Sequence, residues 1–460
     1  MTVADVVADG LARAGVGRFF AAGGVLAGAL TEAARRHEID VVPVGSAASA
    51  CVMAAVTARL TDRPSAAVLS GAAAAEAVAA LAHASLDRAP VIVLADTTGT
   101  APAVKDTLAL EPASAAHWTA HALQRALAEP PGPVHVTVTA QILEAAAVPV
   151  ATSVWPQPAP PEPRALDEAA RRLAAAVRPV VLAGLGCRRG EAAAWLRPFA
   201  ETLPAPVVVT SRARGALADP HPLNHGILGG AGAAAVLGRA DLLVALGVDP
   251  VELPNGAWPV VTVLDIAPAG GDEARPPAAF RVGGAVPAVL EELAPRLRER
   301  ARADWDVAEL DRLKRGASRA TPEGVALVSL AREALAAGAV AAADEPHAGA
   351  LEAAWQAVAP HELLTPLAPG LAGFAVAAAV AARLARPTAP AIAFARAGPL
   401  TDTALEAAAR LRLPVIAVML GRGALPRGVP IAEARTPEAL RAALALALRA
   451  RGPVALDARE

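Results

Sequence analysis

Short, continuous runs of Val, Ile, Leu and Ala recur along the chain and alternate with longer Ala-rich stretches of helical composition. Such runs are apolar at successive residues, so both faces of the strand they form must be covered. Strands of this kind belong to parallel sheets with helices on both sides. The clearest runs are Val41–Val44, Ala66–Leu69, Val91–Leu94, Val134–Val138, Val180–Leu182, Val207–Val209, Leu242–Leu246 and Val415–Met419. The pattern predicts an α/β fold made of Rossmann-like parallel sheets.

The length, the charge and the cysteine content narrow the class of protein. A chain of 460 residues divides into about three domains of roughly 150 residues each. The net charge of −2 provides no basic surface, so we expect no nucleic-acid partner. Cys51 and Cys187 show neither disulfide nor zinc spacing, which suits a reducing, cytoplasmic location. Met1–Asp9 carries acidic residues and no basic stretch, which argues against a secretory signal.

Two changes in composition predict the domain boundaries. Residues 151–163 include the sequence WPQPAPPEP, which cannot continue a helix or a central strand. Residues 296–319 are rich in Arg, Asp and Glu and indicate a solvated helix. These linkers separate predicted domains at residues 1–150, 164–295 and 320–460. The first and third domains end on similar segments, GPVHVTVTA and GPVALDARE, which we expect to be closing edge strands.

Two uncharged runs, Val41–Ala58 and Leu363–Ala382, approach the length of a membrane-spanning helix. Both are rich in Ala and contain Pro near their starts, so they are weakly hydrophobic and interrupted. We expect each to form a buried strand followed by a helix, and we expect no membrane partner.

Four segments spread over the chain carry a recognisable succession of helices, strands and glycine turns: Asp5–Gly24, Ile39–Gly71, Thr210–Gly230 and Pro369–Ala395. They resemble the thiamine-diphosphate (ThDP) enzymes of the acetolactate synthase and 2-oxo-acid decarboxylase group. The resemblance implies a pyrimidine-binding, a central and a diphosphate-binding domain, in that order. It also implies ThDP and Mg²⁺ as cofactors, and a homodimer or homotetramer with the cofactor between two subunits. An assembly with an active paralogue is an alternative.

The residue that activates ThDP in this family has no counterpart in the chain. In the family, a Glu carboxylate hydrogen-bonds the aminopyrimidine ring, so that the neighbouring amine can deprotonate the thiazolium carbon. The match places Gly45, Ser46 and Ala47 at that motif, with Ala47 at the Glu position. Glu38 precedes the strand and is no substitute. The resemblance therefore names no catalytic carboxylate, although glyoxylate carboligases also lack this Glu.

The metal-binding positions of the family are replaced as well. Family members hold Mg²⁺ through the Asp of a Gly-Asp-Gly turn and a later Asn, and the cation neutralises the diphosphate. The matched positions hold Phe394, Ala395 and Arg396, and then Gly421 and Arg422. We therefore expect no metal site and weak or absent ThDP binding.

The cleft positions implied by the resemblance are Gly71, Gly370, Ala372, Arg396 and Arg422. Gly71 begins the turn written Gly-Pro-Gly in the family, and Ala372 replaces the larger apolar residue that bends the cofactor. The two guanidiniums of Arg396 and Arg422 could bind an anion directly in place of a metal. The alternative is two surface arginines at loop tips. Asp402, the nearest alternative carboxylate, is expected inside the following helix.

Several other residues have both a functional and a structural interpretation. His347 could act as an acid or a base, but the preceding Asp-Glu-Pro is typical of a helix start. His117 and His121 have the spacing of a metal pair, or lie on a solvated helical face. The sequence GLG at 184–186 follows a strand as in nucleotide-binding proteins, yet it lacks the third glycine. In each case we favour the structural interpretation.

Three functions remain open at this point. The first is a catalytically degenerate ThDP-fold protein with a structural or regulatory role. The second is an active ThDP-dependent decarboxylase or carboligase with atypical residues, and the third is an anion-binding module that uses Arg396 and Arg422. The chain has six Trp, six Phe and no Tyr, so it offers few side chains with which to build a replacement active site. This composition favours the first function.

Overall fold

The computed structural model describes residues 1–97, 103–148, 159–253, 258–268, 278, 280–297, 303–316 and 324–459. Within these residues the strands form three six-stranded sheets. The chain divides into two compact units: unit 1 combines Met1–Trp155, Glu323–Ala354 and Leu364–Glu460, and unit 2 combines Pro156–Pro322 and Trp355–Leu363. The predicted α/β class with parallel sheets is confirmed.

The first sheet lies in unit 1. Its strands are β1 (Arg18–Ala21), β2 (Asp40–Pro43), β3 (Ser65–Leu69), β4 (Val91–Ala95), β5 (Asp106–Ala109) and β6 (Val134–Thr137). The accompanying helices are α1 (Val3–Arg13), α2 (Gly24–Arg36), α3 (Ala47–Thr61), α4 (Val78–Leu86), α5 (Ala115–Leu127) and α6 (Ala140–Glu144). The strand order is β2-β1-β3-β4-β6-β5, with every pairing parallel. β3 and β4 are buried at every residue, as their continuous apolar sequences predict.

The central sheet lies in unit 2. Its strands are β7 (Pro179–Ala183), β8 (Val207–Val209), β9 (Asn224–Ile227), β10 (Leu242–Leu246), β11 (Thr262–Ala267) and β12 (Phe280–Gly283). Its helices are α7 (Pro163–Ala175), α8 (Glu191–Thr202), α9 (Ala231–Leu237), α10 (Val286–Leu297) and α11 (Val307–Arg315). The parallel strands follow the order β12-β11-β10-β7-β8-β9. α7 covers the sheet with an apolar stripe at the i, i+3, i+4 and i+7 positions: Leu166, Ala169, Ala170 and Leu173.

The last sheet lies in unit 1. Its strands are β13 (Val340–Ala343), β14 (Leu363–Leu364), β15 (Ala391–Arg396), β16 (Val415–Leu420), β17 (Ile431–Glu433) and β18 (Val454–Asp457). Its helices are α12 (Val325–Ala334), α13 (Glu345–Ala354), α14 (Phe374–Ala385), α15 (Pro399–Arg410) and α16 (Pro437–Ala447). The order β14-β13-β15-β16-β18-β17 repeats that of the first sheet, strand for strand. The two sheets of unit 1 therefore share one topology.

Two Ala-rich helices form the centre of unit 1. α3 and α14 pack against each other, and nearly all their side chains are buried. They share one apolar core with residues of both sheets of the unit. A helix that is apolar on every side needs neighbours on every side, and small Ala side chains allow close approach. The two uncharged runs thus form β2 with α3 and β14 with α14, as predicted.

The prediction that the segments GPVHVTVTA and GPVALDARE form edge strands is wrong. β6 pairs with β4 on one side and β5 on the other, and β18 pairs with β16 and β17. The true edges are β5 and β17, short strands in which no residue is buried. Edge strands of this kind lack the continuous apolar run that identifies a central strand, so they could not be predicted from the sequence.

The predicted linkers fall partly outside the described residues. Residues 151–158, 298–302 and 317–319 lie beyond them, whereas residues 303–316 of the charged stretch contribute α11 to unit 2. The buried Trp305 indole precedes α11 and donates a hydrogen bond to the Pro179 carbonyl oxygen at 2.9 Å. The boundaries 1–150, 164–295 and 320–460 stay a prediction. In the described part of the chain, no helix is both long and apolar enough to cross a membrane.

Candidate functional site

The carboxyl ends of the last sheet meet at one edge, where parallel α/β sheets bind ligands. Asp344 follows β13, Arg396 ends β15, and Gly421 follows β16. These are the elements to which the resemblance assigns diphosphate binding. The chemistry available at this edge therefore decides whether the parent cofactor fits.

Asp344 is the central polar residue of this edge. Its side chain is buried, and its two carboxylate oxygens accept the backbone N–H groups of Ala375 at 3.0 Å and Arg396 at 2.8 Å. Ala375 is the second residue of α14, so the carboxylate occupies the positive N-terminus of that helix. Burial raises the pKa of the Asp344 carboxyl, and the hydrogen bonds from Ala375 and Arg396 oppose that rise. Asp344 thus takes the backbone donors that a bound anion would use.

The turn after β15 lies further along the chain than the sequence match placed it. Phe394 and Ala395 are buried within β15, which continues to Arg396. Only Ala397 and Gly398 separate the strand from α15. The matched residues 394–396 therefore lie in the strand. All three pair with residues of β16, and the apolar Phe394 and Ala395 are buried. The residues that do form the turn also carry no carboxylate.

The turn after β16 contacts the turn after β15. A Cβ on Gly423, whose φ is +142°, would lie 2.7 Å from the Cβ of Ala397. The side chains of Arg396 and Arg422 are both exposed. Arg396, the last residue of β15, and Arg422, in the turn after β16, therefore carry exposed guanidinium groups at this edge of the sheet.

Of the other carboxylates near this edge, Asp457 bonds two arginines and Asp402 lies in a helix. Asp457, at the end of β18, accepts hydrogen bonds from Arg459 at 2.6 Å and Arg435 at 2.8 Å, and these bonds hold its pKa well below the usual range. Asp402 lies in the first turn of α15, as predicted, where burial and the charge of Glu406 raise its pKa. Among the described residues, no three His, Cys, Asp or Glu side chains form a group that could hold a metal. The residues present do not fit a Mg²⁺-diphosphate group.

The position matched to the activating Glu is buried and holds an Ala side chain. Ala47 is the first residue of α3 and is 1% exposed. The Oγ of Ser46 accepts the Ser49 N–H at 3.4 Å and caps the helix. A Cβ on Gly45 would lie 3.2 Å from the Cβ of Thr403 on α15, so this loop packs tightly in unit 1. No carboxylate is presented there.

The remaining predicted cleft residues divide into two groups. Ala372 is exposed and precedes the capped start of α14, while the His347 N–H donates to the Asp344 carbonyl oxygen at 2.9 Å. His347 and Arg396 thus both donate their backbone N–H groups to Asp344. Gly71 instead lies after β3 in the first sheet, where its N–H donates to Asp96 Oδ1 at 2.7 Å.

Gly370 and Gly71 both adopt the left-handed backbone region, with φ of +75° and +64°. His347 is the third residue of α13, in agreement with a helix-start position.

The other candidate residues take structural positions. His117 and His121 lie on α5 with parallel rings whose centroids are 6.2 Å apart. Cys51 is buried in α3, and burial raises its pKa to about 12, which is unsuited to a nucleophile. Asp344 was not among the residues identified from the sequence. Its position directly after the apolar run VAAA was the available signal.

Two family models match the chain. The model for the N-terminal TPP binding domain of thiamine pyrophosphate enzymes matches residues 1–124. The model for the central domain of thiamine pyrophosphate enzymes matches residues 166–293. Together they cover more than half of the chain.

Relatives of known name match parts of the chain. The acetolactate synthase of Mycobacterium bovis is 42% identical over 147 residues, which are 30% of this chain and 24% of that protein. The probable 2-ketoarginine decarboxylase of Pseudomonas aeruginosa is 30% identical over 343 residues, which are 69% of this chain and 60% of that protein. The chain thus spans less than two thirds of the length of these relatives.

Solved structures match the whole chain. An enzyme from Mycobacterium smegmatis, described as thiamin diphosphate-dependent, has a TM-score of 0.84 at 22% identity, covering 100% of this chain and 99% of that one. The thiamine diphosphate-dependent 4-hydroxybenzoylformate decarboxylase of Rhodococcus jostii gives 0.83 at 21% identity, with the same coverage. At such identities the likeness shows the fold. With both family models and this fold in agreement, the chain belongs to the thiamine pyrophosphate (ThDP) enzyme family.

Proposed function

We propose that this chain is a ThDP-enzyme-fold protein that has lost ThDP catalysis and serves as a structural or regulatory partner. The observation that carries the proposal is the Asp344 carboxylate, which is buried and committed to the N–H groups of Ala375 and Arg396. The turns after β15 and β16 add no Asp, Glu, Asn or Gln that could bind Mg²⁺. Ala47 stands where the family places its activating Glu.

The negative charge of the diphosphate makes cofactor binding unfavourable when the metal is missing. A buried polyanion without a counter-cation loses its hydration and costs several kcal/mol. Two exposed guanidiniums compensate less than a directly bound divalent cation, because solvent screens their charge. Loss of the metal ligands and loss of the Glu therefore act on two separate steps, cofactor binding and cofactor activation.

A thermal-shift titration of the full chain with ThDP and Mg²⁺ tests this proposal. A ligand that binds only the folded state must raise the melting temperature as its concentration rises. We expect no saturable rise beyond that given by Mg²⁺ alone or by inorganic pyrophosphate with Mg²⁺. A saturable rise specific to ThDP with Mg²⁺ contradicts the proposal.

The active alternative is a decarboxylase or carboligase with atypical residues, supported by the complete three-sheet frame. Carbon dioxide release from pyruvate, glyoxylate and a panel of other 2-oxo acids tests it directly. We expect no ThDP-dependent release. Release that requires added ThDP would replace our proposal with this alternative.

A second candidate function is anion binding at Arg396 and Arg422. It is favoured by their exposure, Arg396 at the end of β15 and Arg422 in the turn after β16, and by the N-terminus of α15, whose N-cap residue Gly398 provides no side-chain hydrogen bond. Calorimetric titration with pyrophosphate should show binding that the double variant Arg396→Ala/Arg422→Ala loses. Arg441→Ala, an exposed arginine on α16, is the matched control and should bind as the parent does. Equal binding by the double variant and the parent excludes this candidate.

The family also provides an expectation for the assembly state. We infer a cytoplasmic homodimer or homotetramer, or an assembly with an active paralogue, because family members are commonly oligomeric. Light scattering on the purified full chain measures its mass. A monomer at micromolar concentration would contradict the homo-oligomer.

A further inference from the structure

The central sheet has the strand order of dinucleotide-binding folds. Numbered from β7, its order β9-β8-β7-β10-β11-β12 reads 3-2-1-4-5-6. The direction of winding reverses between β7 and β10, and α/β sheets of this kind bind ligands in the crevice beyond the carboxyl ends at that reversal. The GLG sequence at 184–186 lies at this point, directly after β7.

One carboxylate, that of Glu252, fills this crevice. Its Oε2 atom accepts the N–H of Leu185 at 2.8 Å and the N–H of Asp249 at 2.9 Å. Its Oε1 atom accepts the hydroxyl of Thr210 at 2.5 Å. Leu185 follows β7, Thr210 follows β8, and Asp249 follows β10. A single carboxylate thus connects the loops after three neighbouring strands.

The two glycines of the GLG sequence serve this packing. A Cβ on Gly184 would lie 2.4 Å from Val248 Cα and 2.7 Å from Glu252 Oε2. A Cβ on Gly186 would lie 2.9 Å from Gly247 Cα. The turn after β7 is therefore pressed against the turn after β10, with the Glu252 carboxylate directly beside Gly184.

We infer that Glu252 is an internal occupant of an oxyanion-binding crevice in unit 2 and that it closes the crevice to nucleotides. A phosphate and a carboxylate use the same donors, namely backbone N–H groups at a strand-to-helix turn and a hydroxyl. Here all three donors are bonded to Glu252. The crevice would therefore accept a small oxyanion once this side chain is removed, and a nucleotide diphosphate is excluded while it is present.

The Arg212 charge acts on Glu252, and the Glu252 charge acts on Cys187. Burial raises the pKa of the Glu252 carboxyl, whereas the hydrogen bonds and the Arg212 charge lower it. The Cys187 thiol lies close enough for the Glu252 charge to add to the effect of burial in raising the thiol pKa.

Replacement of Glu252 followed by chemical rescue tests the inference. Glu252→Ala in the full chain should lower the melting temperature by several degrees, and sodium formate should restore roughly half or more of the loss in a saturable manner. Sodium chloride at equal ionic strength should not. Asp241→Ala is the matched control: Asp241 also accepts two backbone N–H groups, from Val177 and Arg178, but at the amino ends of the strands. Formate should not raise the melting temperature of this control.

The wild-type chain provides an independent arm. Hydrogen exchange at the Leu185 amide should be slow and unchanged by millimolar ADP, because Glu252 already holds that N–H. Slower exchange at Leu185 with ADP, or a Glu252→Ala variant that responds to formate no more than to chloride, overturns the inference. If Glu252→Ala does not fold, the exchange measurement alone decides: an unchanged rate supports the inference and an ADP-dependent rate overturns it.

Discussion

The last sheet and the central sheet each place a hydrogen-bonded carboxylate at the carboxyl ends of their strands, yet the two carboxylates are held differently. Asp344 bonds the backbone of two regular elements, the last residue of β15 and the start of α14. Glu252 bonds the loops that follow three strands. In both places, donors suited to a bound anion have an internal partner. Asp344 therefore acts as a helix cap for α14, whereas Glu252 forms a loop clasp that connects the loops after β7, β8 and β10.

The largest expected effect tests the first half of this comparison. Asp344→Ala should lower the free energy of unfolding by about 3–5 kcal/mol, because it leaves the buried N–H groups of Ala375 and Arg396 without an acceptor. Urea unfolding measures the loss. Asp402→Ala, a carboxylate on the neighbouring α15, is the control and should cost less than about 1 kcal/mol. A loss of that smaller size for Asp344→Ala would show that the carboxylate is not a structural cap.

The buried His225, in the central sheet, makes the stability of unit 2 depend on pH. His225 in β9 is 2% exposed, and neither ring nitrogen has a hydrogen bond among the described residues. Burial, together with the charge of Lys314, lowers its pKa from 6.5 to about 4. Between these values the unfolded chain binds the proton and the folded chain does not, so stability falls as the pH falls from about 6.5 towards 4.

The loss should reach about 3 kcal/mol at the acid end, since each pKa unit corresponds to about 1.36 kcal/mol. His225→Leu should remove that part of the pH dependence, as measured by urea unfolding at a series of pH values. His117→Leu, on an exposed face of α5, should leave it in place. An unchanged slope in His225→Leu would assign the acid sensitivity to other groups.

A smaller effect is expected for the loop clasp. Glu252→Gln keeps the size of the side chain but turns one acceptor oxygen into a donor, facing either Thr210 or two N–H groups. The free energy of unfolding should fall by about 1–2 kcal/mol, since part of the loop can adjust. Should the loss equal that of Asp344→Ala, the distinction between a helix cap and a loop clasp would disappear.

The smallest effect calibrates the scale in unit 1. Thr436 caps α16, and its Oγ1 accepts the Ala439 N–H at 3.2 Å on an exposed surface. Thr436→Ala should cost about 1 kcal/mol, the usual value for an N-cap. Thr436→Ser retains the hydroxyl and should be close to neutral. Thermal unfolding of the two variants gives the difference, and a loss for Thr436→Ala as large as for Asp344→Ala would contradict the ranking.

The central strands of each sheet could be predicted from the sequence, because burial on both faces requires a continuous apolar run. β3, β4, β7 and β10 show that pattern and are buried throughout. β5 and β17 could not be recognised, since an edge strand is exposed and depends on its neighbour for pairing. The position of the turn after β15 was also misjudged, because Arg396 ends the strand although its side chain is exposed.

At the candidate site, the sequence identified only the residues at positions matched to the family motifs. Ala47 and the residues after β16 could be identified by comparison with a family motif, without coordinates. Asp344 and Glu252 act through backbone groups that are distant in sequence: 31 residues separate Asp344 from Ala375, and 67 separate Leu185 from Glu252. Such contacts depend on the sheet order, which propensity and periodicity do not determine.

A crystal structure of the full chain grown with ThDP and Mg²⁺ would show whether this chain binds the cofactor of its family. We expect no cofactor density against the turns after β15 and β16, with Asp344 still bonded to Ala375 and Arg396. Ordered ThDP at these turns, with Mg²⁺ coordinated by residues of this chain, would contradict this expectation.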